Sequence, residues 1–477
     1  MEKSLLIHLV KKFSAKEMKD FGEYVQSPFF NKNQSVINLY HYLKKPHPDF
    51  DKRKLEKMYV YRRILPNVKY SDGFMRSITF HLTRLAEEYL SYLNYKTDRY
   101  SYHKHLISEL NKKGADRLFH KRLEEAVKIF DRCPKRNELD YLNRFIMEFE
   151  RDSFYEKHMS VIPDYDFLAE SQYLIKFFLF RICKSYGLLI NKKLVVNIDF
   201  KLEFLEEVLK YVSEHTFDEP EINLYRDLLE FLINDGDMKR YVKLRSSIDE
   251  NFDKLNQDTI SNSYIGMQNF LIRRRQKGEP GMTEELFDLY KDMISKKALS
   301  CSASGYISHT HFWNIVCTGL IIKEFDWTRR FIDEYRGSLE PEKRDDAVNF
   351  CYARLYYALG DYEKALEMVS KVPYEDIFYK IEIKNLSIRI NYELGYYDAV
   401  EDTIGSFRKI LKNKLITDLL VKASSNFMRF AAKLTRVAAG AGKKSELEEL
   451  RTQIEGTECL VGRDWLIKKI SELQRKS

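Results

Sequence analysis

Proline and glycine are scarce in this chain, 10 and 18 residues out of 477, which excludes a turn-dense β architecture and favours long helices. Cysteine is scarce as well. The six thiols, Cys133, Cys183, Cys301, Cys317, Cys351 and Cys459, are scattered, with no Cys-x-x-Cys pair and no histidine at ligand spacing. Neither a disulfide framework nor a zinc module is expected, and the thiols read as buried groups of a reducing cytoplasm. Long apolar runs are missing too. Leu5 to Val10 is short, contains His8 and is followed by Lys11 and Lys12, which is too short and too charged for a signal peptide. The most lipid-like segment, Tyr173 to Ile190, carries Lys176, Arg181 and Lys184, each costly at a bilayer centre. A cytoplasmic protein without a membrane partner is the expectation.

Aromatic residues are plentiful, 32 Tyr and 31 Phe, so there is ample apolar surface to offset the entropy of ordering and wholesale disorder is excluded. The net charge of +8 is unevenly placed: residues 1–150 hold 30 Lys and Arg against 20 Asp and Glu, and the remainder 50 against 52. A basic N-terminal third can serve an anionic partner, although the same excess suits an ordinary solvated face.

Ser14-Ala15-Lys16-Glu17 is a capping box, and Met18, Phe21 and Val25 follow at helical spacing, which predicts a helix over Ala15 to Gln26. Pro28 stops it, Asn33 caps the next, a third helix is expected over Lys52 to Ile64, and a fourth over Gly73 to Leu93. These make an N-terminal helical domain over 1–95, and the weakly periodic tract 94–102 is the best candidate joint. Beyond it, an α-hairpin is expected around Cys133-Pro134, a break near Pro163, and another hairpin over Leu168 to Ser185 and Phe200 to Val212. Turn signals then recur at Asn234-Asp235-Gly236-Asp237, Lys277-Gly278, Phe325-Asp326, Gly360-Asp361, Gly395-Tyr396 and Gly440-Ala441-Gly442, with a loop from Lys296 to Ser308. The helix around Trp465 reads as a C-terminal cap of the array over 102–477.

Trp327, Tyr362 and Tyr397 stand 35 residues apart. In the best unit Ala353, Tyr356, Gly360, Tyr362 and Ala365 mark close-packed, turn and end-plugging positions, and Gly395 and Tyr397 repeat part of the pattern. Over 310–411, through Leu359-Gly360-Asp361-Tyr362-Glu363-Lys364-Ala365-Leu366, the chain resembles a tetratricopeptide-type repeat protein. The next unit has Val400 at the small position, and the unit at Trp327 has Arg330 there. The resemblance implies an all-α fold: an α-solenoid of helical hairpins preceded by the small N-terminal domain. Phe21, Ser27-Pro28-Phe29-Phe30-Asn31 and Tyr392-Glu393-Leu394 also resemble an uncharacterised bacterial family of about this length, which implies cytoplasmic helical proteins of unknown role.

Motifs that glance at chemistry have plainer readings. Gly440-Ala441-Gly442-Lys443-Lys444-Ser445 fails the phosphate-loop spacing, has no strand before it, and reads as a turn in which Ser445 caps the next helix. His309 and His311, two apart on a helix, are splayed for metal binding, and His103 and His105 read alike. Arg273-Arg274-Arg275 suits the negative end of a helix dipole. No catalytic, metal or cofactor site is assigned. The expected function is a non-enzymatic scaffold or adaptor that binds a protein or peptide on its repeat surface. The alternative is a nucleic-acid-binding regulator using Arg62, Arg63, Lys69, Arg76 and Arg84, although Glu87 and Glu88 interrupt that cluster and its turn is long for a helix-turn-helix.

Overall fold

A computed structural model of the chain describes residues 1–158, 166, 168–196, 201–233, 237–299, 305–373, 377–412, 418–441 and 446–475. The protein is all-α. Among the described residues there is no β-strand, and one isolated parallel bridge joins Ile307 to Leu339. The expected break at Pro163, the turn residues Asn234 to Gly236, the Ser300 to Ser304 part of the loop, and Gly442 to Ser445 lie outside the described residues. The chain divides into two compact units, Met1–Phe178 and Leu179–Ser477.

The first unit opens with α1 (Leu5–Val10), α2 (Ala15–Gln26), α3 (Gln34–Lys44), α4 (Lys57–Ile64) and α5 (Asp72–Thr97). The capping box forms as its residues dictate: the Ser14 hydroxyl accepts from the Glu17 amide at 3.1 Å, and the Glu17 carboxylate accepts from the Ser14 amide at 2.7 Å. The helix expected over Lys52 to Ile64 is divided. Arg53–Leu55 is a short 3-10 turn, Glu56 is extended, and α4 starts at Lys57. The break buries Leu55 and lets its carbonyl accept from the chain's terminal amine at 2.7 Å. Helix α5 packs against each of α1 to α4, and the rings of Phe13, Phe21, Tyr40 and Tyr89 fill the centre with T-shaped and tilted contacts. Tyr40 requires Gly22 beneath it, since a Cβ there would meet the phenol oxygen at 2.2 Å.

Helix α5 runs on to Thr97, so the expected joint over 94–102 shrinks to Asp98–Tyr100, where the Asp98 carboxylate accepts from the Tyr100 amide. Then come α6 (Ser101–Lys113), α7 (Asp116–Asp131) and α8 (Glu138–His158). The single arm expected before Cys133 is two helices. Gly114 adopts φ +65 and turns the chain back, and Phe119 of α7 stacks on Phe154 of α8 at 4.4 Å. Helix α9 (Ala169–Val196) begins in this unit and ends in the next.

The second unit continues with α10 (Leu205–Glu214), α11 (Pro220–Ile233), α12 (Met238–Asn251), α13 (Gln257–Gln276), α14 (Met282–Ser295), α15 (His309–Ile321), α16 (Phe325–Tyr335), α17 (Arg344–Leu359), α18 (Tyr362–Ser370), α19 (Ile377–Glu393), α20 (Tyr397–Ile410), α21 (Asp418–Ala438), α22 (Glu446–Glu455) and α23 (Arg463–Arg475). Packing here is local in sequence. From α15 onward each helix packs on its neighbours in sequence, and α15, α17, α19, α21 and α23 also contact one another in succession. Three hydrophobic clusters follow one another along the unit, with the middle one, from Phe350 to Ile390, built on α17 to α19.

One backbone turn recurs. A residue with left-handed φ is followed by one near φ −90, ψ +60 to +75, and the next helix starts immediately: Gly114-Ala115-Asp116, Lys323-Glu324-Phe325, Gly360-Asp361-Tyr362 and Gly395-Tyr396-Tyr397. In each, the middle residue's amide donates to a carbonyl five residues back, at Leu110, Gly319, Tyr356 and Asn391, over 2.8–3.0 Å, which satisfies an otherwise orphaned helix-end group. This turn fixes the register of the hairpins. Phe325, and not Trp327, is the counterpart of Tyr362 and Tyr397, because Trp327 is the third residue of α16. The helix-facing small position is therefore Thr328, fully buried like Ala365 and Val400, while Arg330 is exposed.

Candidate ligand-binding site

Counting back six residues from the left-handed position of the last three turns gives Cys317, Arg354 and Arg389. These stand on α15, α17 and α19, the helices that pack in succession, and all three line one cavity of about 250 Å³ together with Tyr357, Glu382 and Asn385. The spacing of the hairpins thus gathers equivalent positions into a single hollow. That volume is smaller than a site for a drug-sized molecule, about 300–1,000 Å³, and suits one side chain or one chain end.

The two guanidiniums are held by aromatic faces. Arg354 lies 5.8 Å from the ring centroids of both Trp313 and Phe350, and Arg389 lies 5.4 Å from Phe427 and 6.0 Å from Trp465. Gly462, at φ +70, leaves the room Arg389 needs, since a Cβ there would come within 2.5 Å of its Nη2. Electrostatically the two differ. Arg354 pairs with Glu382 at 3.3 Å; burial opposes its charge, but Cys317 and Glu382 outweigh burial and leave its pKa raised. Arg389 makes no ion pair among the described residues, its Nε has no hydrogen-bond partner, and burial pushes its pKa below the usual value. Asn385 is 3% exposed, and neither its Oδ1 nor its Nδ2 has a partner. Burial raises the Cys317 thiol. The hollow therefore combines one net positive charge, from two arginines and Glu382, with an unused donor and acceptor on Asn385. Such groups cost free energy while they stay unmatched.

Among the residues singled out from the sequence, Tyr362 meets Tyr357 at 5.6 Å and Tyr397 meets Tyr392 at 5.9 Å, equivalent pairs across successive turns. Lys364 lies over the ring of Tyr356 at 5.7 Å. Gly360 and Gly395 supply left-handed turns, and Trp327 stacks on Phe331 at 5.6 Å. In the first unit Arg62, Arg63 and Lys69 are exposed at the end of α4 and in the turn after it, with Arg63 against Tyr59. Arg76 pairs with Asp72 at 2.9 Å, a carboxylate that Lys57 shares at 3.0 Å, and Arg84 pairs with Glu88 at 3.0 Å on its own helix. Arg273, Arg274 and Arg275 end α13.

His309 and His311 line a second cavity, of about 580 Å³, beside Gln268 and Lys343, and burial lowers the His311 imidazole to about 4. Among the described residues no group of three or more His, Cys, Asp or Glu side chains could hold a metal ion, and no helix is long and apolar enough to cross a membrane.

Arg354, Arg389 and Asn385 were missed by sequence reading. Their signal was present, because the two arginines are 35 residues apart, the same interval that separates Tyr362 from Tyr397. No protein-family model, no curated protein and no solved structure matches this chain.

Proposed function

We propose that the protein is a scaffold or adaptor whose helical hairpins form a tetratricopeptide-like array and bind a peptide or protein partner without covalent chemistry. The observation that carries this reading is the hollow at Cys317, Arg354 and Arg389, in which equivalent positions of consecutive hairpins converge. Arrays of this kind stack each unit only on its neighbours and so present a long surface in place of one closed core. The recurring turn and the succession α15, α17, α19, α21 and α23 support that architecture here. Unmatched polar groups in the hollow supply orientation, and the aromatic residues around it supply contact area, as small recognition sites require.

The test is purification of tagged full-length protein from its native cell extract, with and without nuclease, beside the variant Arg354→Glu/Arg389→Glu. The reading predicts a stoichiometric protein that survives nuclease and is lost from the variant. Nucleic acid that leaves as salt is raised, with no protein dependent on Arg354 and Arg389, would move the assignment to Arg62, Arg63, Lys69, Arg76 and Arg84.

A further inference from the structure

We infer that the hollow between α17 and α19 takes the carboxylate-bearing C-terminal residue of a peptide. The inference rests on the scaffold reading and assigns the chemistry of its ligand. The Arg389 Nε–H and the Asn385 Nδ2–H are donors without acceptors, and Asn385 Oδ1 is an acceptor without a donor, in a cavity of about 250 Å³. A ligand that satisfies all three brings an oxyanion and, close beside it, a hydrogen-bond donor. The last residue of a peptide has that pair of groups: the terminal carboxylate accepts from Arg389 and Asn385, and the residue's own amide donates to Asn385 Oδ1.

Charge narrows the choice. Arg354 and Arg389 against Glu382 leave one positive charge, which a monoanionic carboxylate matches. A phosphate dianion would overshoot it. Asp464 lies beside Arg389 but is exposed, so solvent screens its charge and the hollow keeps its single positive charge. The resident Glu382 carboxylate stays with Arg354, so the site needs one incoming anion and not two.

The experiment uses the full chain and two pools of N-acetylated random hexapeptides that differ only in a free or amidated C terminus, with inorganic phosphate as a separate arm. Cys317 lines the hollow, so the readout is the rate at which methyl methanethiosulfonate modifies it, resolved from the other cysteines by mass spectrometry. The melting temperature of the same samples is the second readout. The free-acid pool is expected to slow modification about tenfold at ten times its dissociation constant and to raise the melting temperature, while the amidated pool and phosphate leave both unchanged. Arg389→Gln and the milder Asn385→Ala are each expected to abolish the protection, and Arg389→Lys to retain part of it. Equal protection by both pools, protection by phosphate, no protection at all, or protection that survives Arg389→Gln in a folded protein overturns the inference. A partner that binds through Arg354 and Arg389 without a free C terminus would sink this inference alone and leave the scaffold reading standing.

Discussion

Gly319→Ala isolates the contact that sets the spacing of α15 and α16. In a helix interior alanine is favoured over glycine by about 1 kcal/mol, so the substitution should stabilise if nothing lay nearby. At this position a Cβ would stand 2.3 Å from Thr328 Oγ1. Relief requires α15 and α16 to part or Thr328 to turn away, and turning breaks the bond in which its hydroxyl donates to the Glu324 carbonyl at 2.7 Å. Overpacking of this kind costs about 1–3 kcal/mol and the lost bond about 1 kcal/mol, so with the alanine gain subtracted the net expectation is destabilisation by about 1–3 kcal/mol. Thr328→Ala removes the obstructing oxygen and leaves the residue 328 Cβ at 3.5 Å and Trp327 Cε3 at 3.6 Å, both ordinary contacts. The double variant should therefore be more stable than Gly319→Ala alone, with a coupling of about 2–4 kcal/mol in a double-mutant cycle. Urea unfolding of the four proteins, followed by circular dichroism, measures it. A Gly319→Ala protein more stable than wild type, or additive single effects, would refute the close approach and with it the hairpin register.

Lys323 occupies the left-handed position that Gly114, Gly360 and Gly395 fill elsewhere, so Lys323→Gly should stabilise by about 0.5–1 kcal/mol, read as a raised melting temperature. Ala365 is fully buried, and Ala365→Trp should destabilise by about 2–3 kcal/mol through overpacking, visible as a lowered urea midpoint. In the first unit, burial, with Glu170 beside it, raises the Asp152 carboxyl to about 6. A carboxyl whose folded pKa exceeds its unfolded value near 3.8 binds protons more tightly when folded, so it costs stability as pH rises from about 4 to 6 and costs a constant amount above that. Asp152 is partly exposed, so Asp152→Asn should gain about 1 kcal/mol at pH 7 after solvent screening, nothing near pH 3.5, and a flatter stability profile between; unfolding titrations across that range check it.

Much of the fold was legible because local chemistry decided it. The capping box at Ser14 and Glu17 marks the start of α2, Pro28 its end, and Asn33 the start of α3. Reading failed where tertiary contacts overrode the local pattern. Leu55 breaks a helix to reach the core and the terminal amine, and nothing near it in sequence announces either partner. The turn at Gly114 is masked in the sequence because the apolar period continues through α6 and α7. Trp327 keeps the 35-residue interval yet stands two residues beyond the register, because the left-handed residue that defines the turn there is Lys323, which has no turn signature. The site was hidden for a different reason. Arg354 and Arg389 share the repeat interval, but an arginine on a helix ordinarily extends into solvent. Only packing shows that Trp313, Phe350, Phe427 and Trp465 enclose them.

The most direct test of the scaffold reading is site-specific photo-crosslinking in the native cell from Ile321, a residue on the rim of the hollow that is 57% exposed, with Leu5 of the first unit, also exposed, as the control position. The account predicts one discrete protein adduct from Ile321, none from Leu5, and loss of the adduct when Arg354 and Arg389 are replaced by Glu. An adduct that persists in that variant, or identical adducts from both positions, would contradict it.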